Sequence, residues 1–229
     1  MKGFIGVIED RNKEIKEYIS EYFSDEDEAL SNAKKSSHEA SLPKIAISEN
    51  TGKFLYLLAK LKNPHRLLEI GTLGGYSTLW LAKACPEAKI TTLEINHEHA
   101  EVARQNFIKA GVNHKIDLIV GDGHEILKRF ISQNEAPFDL IFLDAEKEGY
   151  IDYLEDILQL SKPGTLLITD NLIPRGNPIN KPHDYDFKAI KTYEYNKILS
   201  EHKGMETILV PTLNGEDSRI DALGISLIL

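Results

Sequence analysis

Two apolar runs of this chain end in oxygen-bearing side chains: Phe138-Asp-Leu-Ile-Phe-Leu-Asp144-Ala-Glu-Lys147 and Leu166-Leu-Ile-Thr-Asp170-Asn171. Set side by side as parallel strands, they bring Asp144, Asp170 and Asn171 to one sheet edge with Lys147 beside them. Three hard oxygen donors with open positions suit a divalent cation, Mg2+ or another such as Mn2+ or Ca2+, that keeps room for a substrate. Either acid alone is equally well a turn residue closing a strand. Their pairing, together with a glycine-rich loop upstream, points to chemistry.

That loop, Leu67-Leu-Glu69-Ile-Gly71-Thr72-Leu-Gly74-Gly75-Tyr76-Ser77, has the order of a strand, a tight turn and a helix start. Glycine lets the backbone turn sharply and approach a ligand, and a new helix offers free N–H groups to a carboxylate or phosphate. Any strand-to-helix turn can use glycine, so the loop alone is a weak signal. Glu94, ending the next strand, strengthens it, because it is placed to accept hydrogen bonds from two ribose hydroxyls. Val120-Gly121-Asp122-Gly123 then ends a third strand at the same edge. There Asp122 accepts from an exocyclic amine or caps the next helix, and one residue can serve both roles. The spacing Gly71-x-x-Gly74-Gly75 departs from the dinucleotide order G-x-G-x-x-G, and Glu69 would repel a pyrophosphate. A cationic amino-acid end fits better. Glu69 can hold an α-ammonium directly or through water, while the helix start at Tyr76 and Ser77 holds an α-carboxylate. The ligand implied is S-adenosylmethionine.

The elements that must position these groups follow an alternating rhythm. Strands are expected near 66–70, 89–93, 116–120, 138–143 and 164–169, with helices near 76–84, 98–110, 124–133 and 150–160. Right-handed crossovers then give a mostly parallel sheet covered by helices on both faces, a Rossmann-like α/β fold. A helical pattern from Ile45 through Phe54, Leu55, Leu57, Leu58 and Leu61 is stopped by Asn63-Pro64. After Asn171 come a loop rich in Pro, Gly and Asn, a helix near 187–200, and two β-like runs, 207–211 and 222–229, that pair as a hairpin-like edge. Residues 1–40 are polar and read as an appended helix whose stripe of Ile15, Tyr18, Ile19, Tyr22 and Phe23 is a dimer contact or a lid. Residues 41–229 read as a single domain.

Composition narrows the partners. With 229 residues, 41% hydrophobic content and a net charge of −9, the chain lacks the basic face needed to grip nucleic acid through its phosphates. One cysteine, Cys85, permits no internal disulfide and reads as a buried small residue. No apolar stretch is long enough for a membrane helix, and no secretory pattern opens the sequence, so a cytoplasmic protein is expected.

At this point the chain resembles the cation-dependent O-methyltransferases of the caffeoyl-CoA and catechol type. The resemblance rests on Glu69-Ile-Gly-Thr72, Gly75-Tyr-Ser77, Asp144-Ala-x-Lys147-x-x-Tyr150-x-x-Tyr153 and Asp170-Asn171, and it spans residues 45–229. It implies a seven-stranded sheet, a homodimer, metal ligands at Asp144, Asp170 and Asn171, and a phenolic or catechol-like small-molecule acceptor. It also implies cofactor contacts at Ile47, Glu69, Gly71, Thr72, Tyr76, Ser77, Glu94, Ile95, Asp122, Gly123, Asp144 and Tyr153. Plant members usually carry Asp where Glu94 stands, a change that keeps an acceptor for ribose. The loop 172–186 carries no pattern that identifies the acceptor.

The expected catalytic residues are Lys147 and Asp144. A phenolic hydroxyl has an intrinsic pKa of roughly 10, so it needs help to ionise near neutrality. Lys147, placed near both a cation and a sulfonium, is suited to take the proton. Other residues have plainer readings. Tyr150 and Tyr153 lie at helical spacing and fit the core, with Tyr153 also able to edge the cofactor pocket. Trp80 fits packing. His97 and His99 point to different helix faces and fit solvated surface. Arg219 and Asp221, before the final strand, resemble a region of that family near the acceptor entrance. A nucleic-acid base methyltransferase would carry an Asn/Asp-Pro-Pro-Tyr-like tetrapeptide where this chain has Asp144-Ala-Glu-Lys147. A non-catalytic cofactor-binding module would have no use for Asp170, Asn171 and Lys147 together.

Overall fold

The computed structural model describes residues 2–23, 26–174, 179–180, 182–214 and 219–229. Positions 24–25 of the acidic break after the first helix, and 175–178 and 181 of the loop after Asn171, lie outside the described residues.

Seven strands form one sheet in the order β3-β2-β1-β4-β5-β7-β6. They are β1 (Arg66–Ile70), β2 (Lys89–Glu94), β3 (Ile116–Val120), β4 (Leu140–Leu143), β5 (Leu166–Thr169), β6 (Met205–Asn214) and β7 (Arg219–Ile228). The first five run parallel, whereas β7 lies antiparallel between β5 and β6. The strand order reverses beside β1, with β2 on one side and β4 on the other. Open α/β sheets bind ligands outside the carboxyl ends of the strands at such a point. The closing hairpin is longer than expected: each arm has ten residues, and β7 is an interior strand rather than part of a free edge.

Eight helices flank the sheet among the described residues: α1 (Lys2–Phe23), α2 (Glu28–Glu39), α3 (Glu49–Lys62), α4 (Tyr76–Ala84), α5 (His97–Lys109), α6 (Gly123–Ser132), α7 (Tyr150–Gln159) and α8 (Phe187–Glu201). Local chemistry sets their ends. Ser48 caps α3 through the Thr51 N–H, and Asn63 closes it in the left-handed region at φ 49° ahead of Pro64. Asn96 and Asp122 accept from the first free amides of α5 and α6. The strand period of two divides the core: Leu67, Leu140 and Phe142 face the cluster formed with α3, α4 and α5, while Leu68, Ile141 and Leu143 face the one formed with α6, α7 and α8.

The N-terminal region differs from a single appended helix. It forms two helices, and α2 buries Leu30 and Ala33 in the same cluster as Trp80. On α1, by contrast, Ile15, Tyr18, Tyr22 and Phe23 are exposed. Cys85 is buried with its thiol against the Ala59 carbonyl, and Trp80 is fully buried beside Gly52, where a Cβ would overlap the indole. No described helix is long and apolar enough to cross a membrane.

Candidate active site

Glu69, near the end of β1, is fully buried. Its Oε1 accepts from Ser77 Oγ at 2.6 Å, and its Oε2 accepts from Thr92 Oγ1 at 2.6 Å and from the Thr78 hydroxyl. Thr92 is its register partner on β2, and Thr78 lies on the first turn of α4. Both carboxylate oxygens therefore meet hydroxyls of the chain itself, Ser77 and Thr78 from α4 and Thr92 from β2. Burial pushes this carboxyl up from 4.5 to about 7, against the pull of the three hydroxyls. Protonation is thus favoured in the folded chain, so stability falls as pH rises from 4.5 through about 7 and is level above that. We expect Glu69→Gln to lose this slope. Urea unfolding of the ligand-free protein at pH 4.5 and pH 8 should show the variant gaining about 3 kcal/mol relative to the parent over that interval. Parallel profiles would mean that the carboxyl titrates alike in both states.

The glycine-rich turn is held from β2. Gly71 donates to the Leu93 carbonyl at 3.0 Å and has φ 101°, and a Cβ there would overlap the Asp144 carbonyl oxygen. Glu94 Oε2 accepts from the Thr72 and Leu73 amides at 3.2 and 2.7 Å, while its Oε1 accepts from Asn96 at 2.9 Å. Besides standing where ribose is expected, Glu94 ties the loop to β2, and it stabilises Leu73 at φ 48°. His99 Nδ1 lies 3.5 Å from Glu94 Oε1 and is half-buried. The expectation of a solvated His99 is therefore corrected: the first turn of α5 folds back over the strand end. His97 is exposed as expected.

The other expected cofactor residues are distributed around the same strand ends. Thr72 is buried with its hydroxyl on Thr92 and the Leu93 carbonyl. Tyr76 begins α4, but its ring is buried against Trp80 and its hydroxyl donates to Glu26. Ile95 is exposed after β2, whereas Ile47 is buried among the side chains of α2, α3 and α4. Asp122 performs the capping role, accepting from His124 and Glu125 at 2.8 and 3.3 Å, and remains exposed. Gly123 lies against the Tyr153 hydroxyl, and the buried Tyr153 ring stacks on His124 at 3.7 Å. Both readings of Tyr153 are thus compatible with one position.

The acidic half lies one strand over. Leu143 and Thr169 are register partners, and the Asp170 amide donates to the Leu143 carbonyl at 3.0 Å, so Asp144 and Asp170 leave neighbouring parallel strands together. Asp170 is 2% exposed. Burial and the adjacent Asp144 carboxylate push its carboxyl up to about 8. Burial raises Asp144 as well, while Lys147 opposes the shift. Asn171 follows in the left-handed region at φ 60°, a conformation asparagine tolerates better than most residues.

Lys147 turns inward rather than to solvent, with its side chain 19% exposed. Its Nζ donates to the Ala145 carbonyl at 3.0 Å and to Tyr150 Oη at 2.5 Å, and lies 3.5 Å from Asp144 Oδ1. Tyr150 is fully buried, and its hydroxyl donates to the Asp170 carbonyl at 3.1 Å. A residue read as core therefore also links Lys147 to the end of β5.

Asp221 lies on β7 beside Asn171. It is 0% exposed. It receives four donors: the Ile173 and Ala222 amides at 3.0 and 2.9 Å, Asn171 Nδ2 at 3.1 Å, and Arg219 at 2.6 Å. Thr78, Thr92, His124 and the role of Asp221 escaped sequence reasoning. Only Thr92 had a local signal, since it lies two residues before Glu94 and so on the same face of β2.

Two carboxylates crowded into a buried corner carry an electrostatic cost that a divalent cation offsets, and with the Asn171 amide oxygen they form a hard donor set. The residues present fit such an ion. Among the described residues no group of three or more His, Cys, Asp or Glu side chains is arranged for a metal; this trio has two acids and an amide.

The chain is similar to known proteins over most of its length. A sequence profile described as O-methyltransferase matches residues 19–216. The chain is 42% identical over 175 residues to a catechol O-methyltransferase of Niastella koreensis, covering 74% of this chain and 79% of that one. It is 39% identical over 189 residues to a catechol O-methyltransferase of Mycobacterium tuberculosis, covering 82% and 84%. Among solved structures it is similar to an O-methyltransferase from Bacillus cereus in complex with SAH. That match has TM-score 0.87 and 30% identity, covering 94% of this chain and 97% of that one. An O-methyltransferase of Streptomyces achromogenes involved in tomaymycin synthesis, in complex with SAM, aligns with TM-score 0.87 and 33% identity, covering 96% and 98%.

Proposed function

Because the chain belongs to the O-methyltransferase family and is an S-adenosylmethionine-dependent enzyme, we propose that it methylates a hydroxyl of an ortho-dihydroxy aromatic small molecule with the help of a divalent cation. The observation that carries this reading is the meeting of Asp144, Asp170 and Asn171 at the ends of β4 and β5, with Lys147 folded in on Asp144. Relatives named for catechol and caffeoyl-CoA support a phenolic acceptor.

S-adenosylmethionine supplies an electrophilic methyl group on a sulfonium. Asp144, Asp170 and Asn171 would hold the cation, which would supply Lewis-acid stabilisation of the phenolate form of the acceptor. Lys147 Nζ would take the hydroxyl proton, and the acceptor oxygen would bond the methyl carbon as its bond to sulfur breaks, releasing S-adenosylhomocysteine as a neutral thioether so that the phenolate and sulfonium charges disappear together. Loss of charge favours a site that excludes water, which the buried Tyr150 and Asp170 help to provide. The loop at Gly71 and Ser77 with Glu94 orients the cofactor, and Asp122, Gly123 and Tyr153 border its aromatic end. Proximity and alignment of two reactants contribute on the order of 7–11 kcal/mol to such a step. The protein is proposed to act as a homodimer, with the exposed apolar stripe of α1 serving as contact or lid.

The test is transfer of a radiolabelled methyl group to a panel of ortho-dihydroxy aromatics. Activity should require Mg2+ or another divalent ion, stop on adding chelator, and return with excess metal. Full activity in chelator would reject the metal assignment.

A further inference from the structure

We infer that Asp221 is a positioning residue for the cation site: it fixes the side-chain amide of Asn171 so that the amide oxygen, and not the nitrogen, faces the ion. This rests on the metal-dependent reading above.

Donor and acceptor chemistry sets which end of the amide faces Asp221. An ionised carboxylate only accepts hydrogen bonds, whereas an asparagine amide has one end that donates and one that accepts. Asp221 Oδ2 lies 3.1 Å from Asn171 Nδ2, so the amide must present its NH2 to Asp221. The end left over is Oδ1, the only end of that group with lone pairs for a cation. Without a strong acceptor beside it the amide could rotate and turn its NH2 toward the ion, which no hard cation can use.

Three features hold Asp221 in this role. It is fully buried, so water does not compete for its oxygens. Arg219 donates to Oδ2 at 2.6 Å, which places that oxygen as an acceptor between two donors. The Ile173 and Ala222 amides fix Oδ1, leaving Oδ2 for Asn171 and Arg219. The backbone on the other side is clamped by the Leu172 amide donating to the Ala222 carbonyl at 3.0 Å. Asn171 itself is held at φ 60°, so its side chain leaves the strand end in one direction. Partners of this kind, one bond removed from the ion, typically govern about 10- to 100-fold in metal affinity.

The test compares Asp221→Asn with the exchanged pair Asn171→Asp/Asp221→Asn, measuring Mn2+ binding by equilibrium dialysis and S-adenosylmethionine binding by calorimetry, without acceptor. The single variant offers Asn171 an amide that can donate or accept, so Mn2+ affinity should fall by about 10- to 100-fold while cofactor affinity stays within error. The exchanged pair restores a carboxylate–amide hydrogen bond and should recover most of the Mn2+ affinity. A merely structural role would weaken both ligands together and would not be rescued by the exchange. Should Asp221→Asn fail to fold, the exchanged pair alone decides: near-parent Mn2+ binding supports the inference, and its loss overturns it. Unchanged Mn2+ affinity in a folded Asp221→Asn overturns the inference and leaves the metal reading intact. If the parent protein binds no Mn2+, the metal reading falls and this inference with it.

Discussion

Lys147→Ala should lower methyl transfer by about 10²–10⁴-fold in kcat, the range expected for loss of a general base, with S-adenosylmethionine affinity unchanged. The split follows from the side chain's surroundings. Lys147 Nζ is directed at Asp144 and Tyr150 on the acceptor side, whereas the cofactor loop is secured by Glu69, Glu94 and the first turn of α4. The lysine also leaves its buried partner Tyr150 with a second bond, to the Asp170 carbonyl, so the fold should tolerate the change. Steady-state kinetics with a catechol and Mg2+, beside calorimetry of cofactor binding, check both halves. A turnover equal to that of the parent would remove Lys147 from the chemistry.

Gly71→Ala is the second large effect, and it acts on the other half of the site. At φ 101° an alanine is strained, and its methyl would overlap the Asp144 carbonyl oxygen. Backbone strain of this type costs about 1–3 kcal/mol, and the overlap adds to it, because the neighbour is main chain that cannot swing away. A loss of about 3 kcal/mol corresponds to a fall in Tm of roughly 6–12 °C for a domain of this size. Function should suffer more than stability. Moving the Asp144 backbone disturbs the first acid of the cation trio, while moving the Gly71 turn disturbs the amides held by Glu94. A melting curve and a cofactor titration together test this, and a variant with parent-like melting and binding would show that the two loops can slide apart freely.

The contrast between these residues and Asp221 explains what could be read from the chain. Strand positions and strand ends were legible, because each apolar run has length enough for one buried strand and each stops at a polar group. Asp144, Asp170, Glu94 and Asp122 all belong to that pattern, and each lies at or just past the carboxyl end of a parallel strand. Contacts created by register were not legible. Thr92 meets Glu69 only because β1 and β2 pair in a particular phase, and Thr78 meets it only because α4 packs down after the turn. Asn171 and Asp221 are fifty residues apart and meet because β7 inserts between β5 and β6, a choice that an alternating pattern does not encode. The helix α2 was hidden for a different reason: with only Leu30 and Ala33 buried, its apolar side is too narrow to stand out in a polar stretch.

The insertion of β7 has a consequence for how the protein is made. β1 through β5, and with them Asp144 and Asp170, precede β7 in the chain and are made before it. The Asn171 side-chain amide meets Asp221 only when the closing strand arrives and docks beside β5. In the proposed cation site, the Asn171 side chain is therefore set only once the chain has been made as far as Asp221.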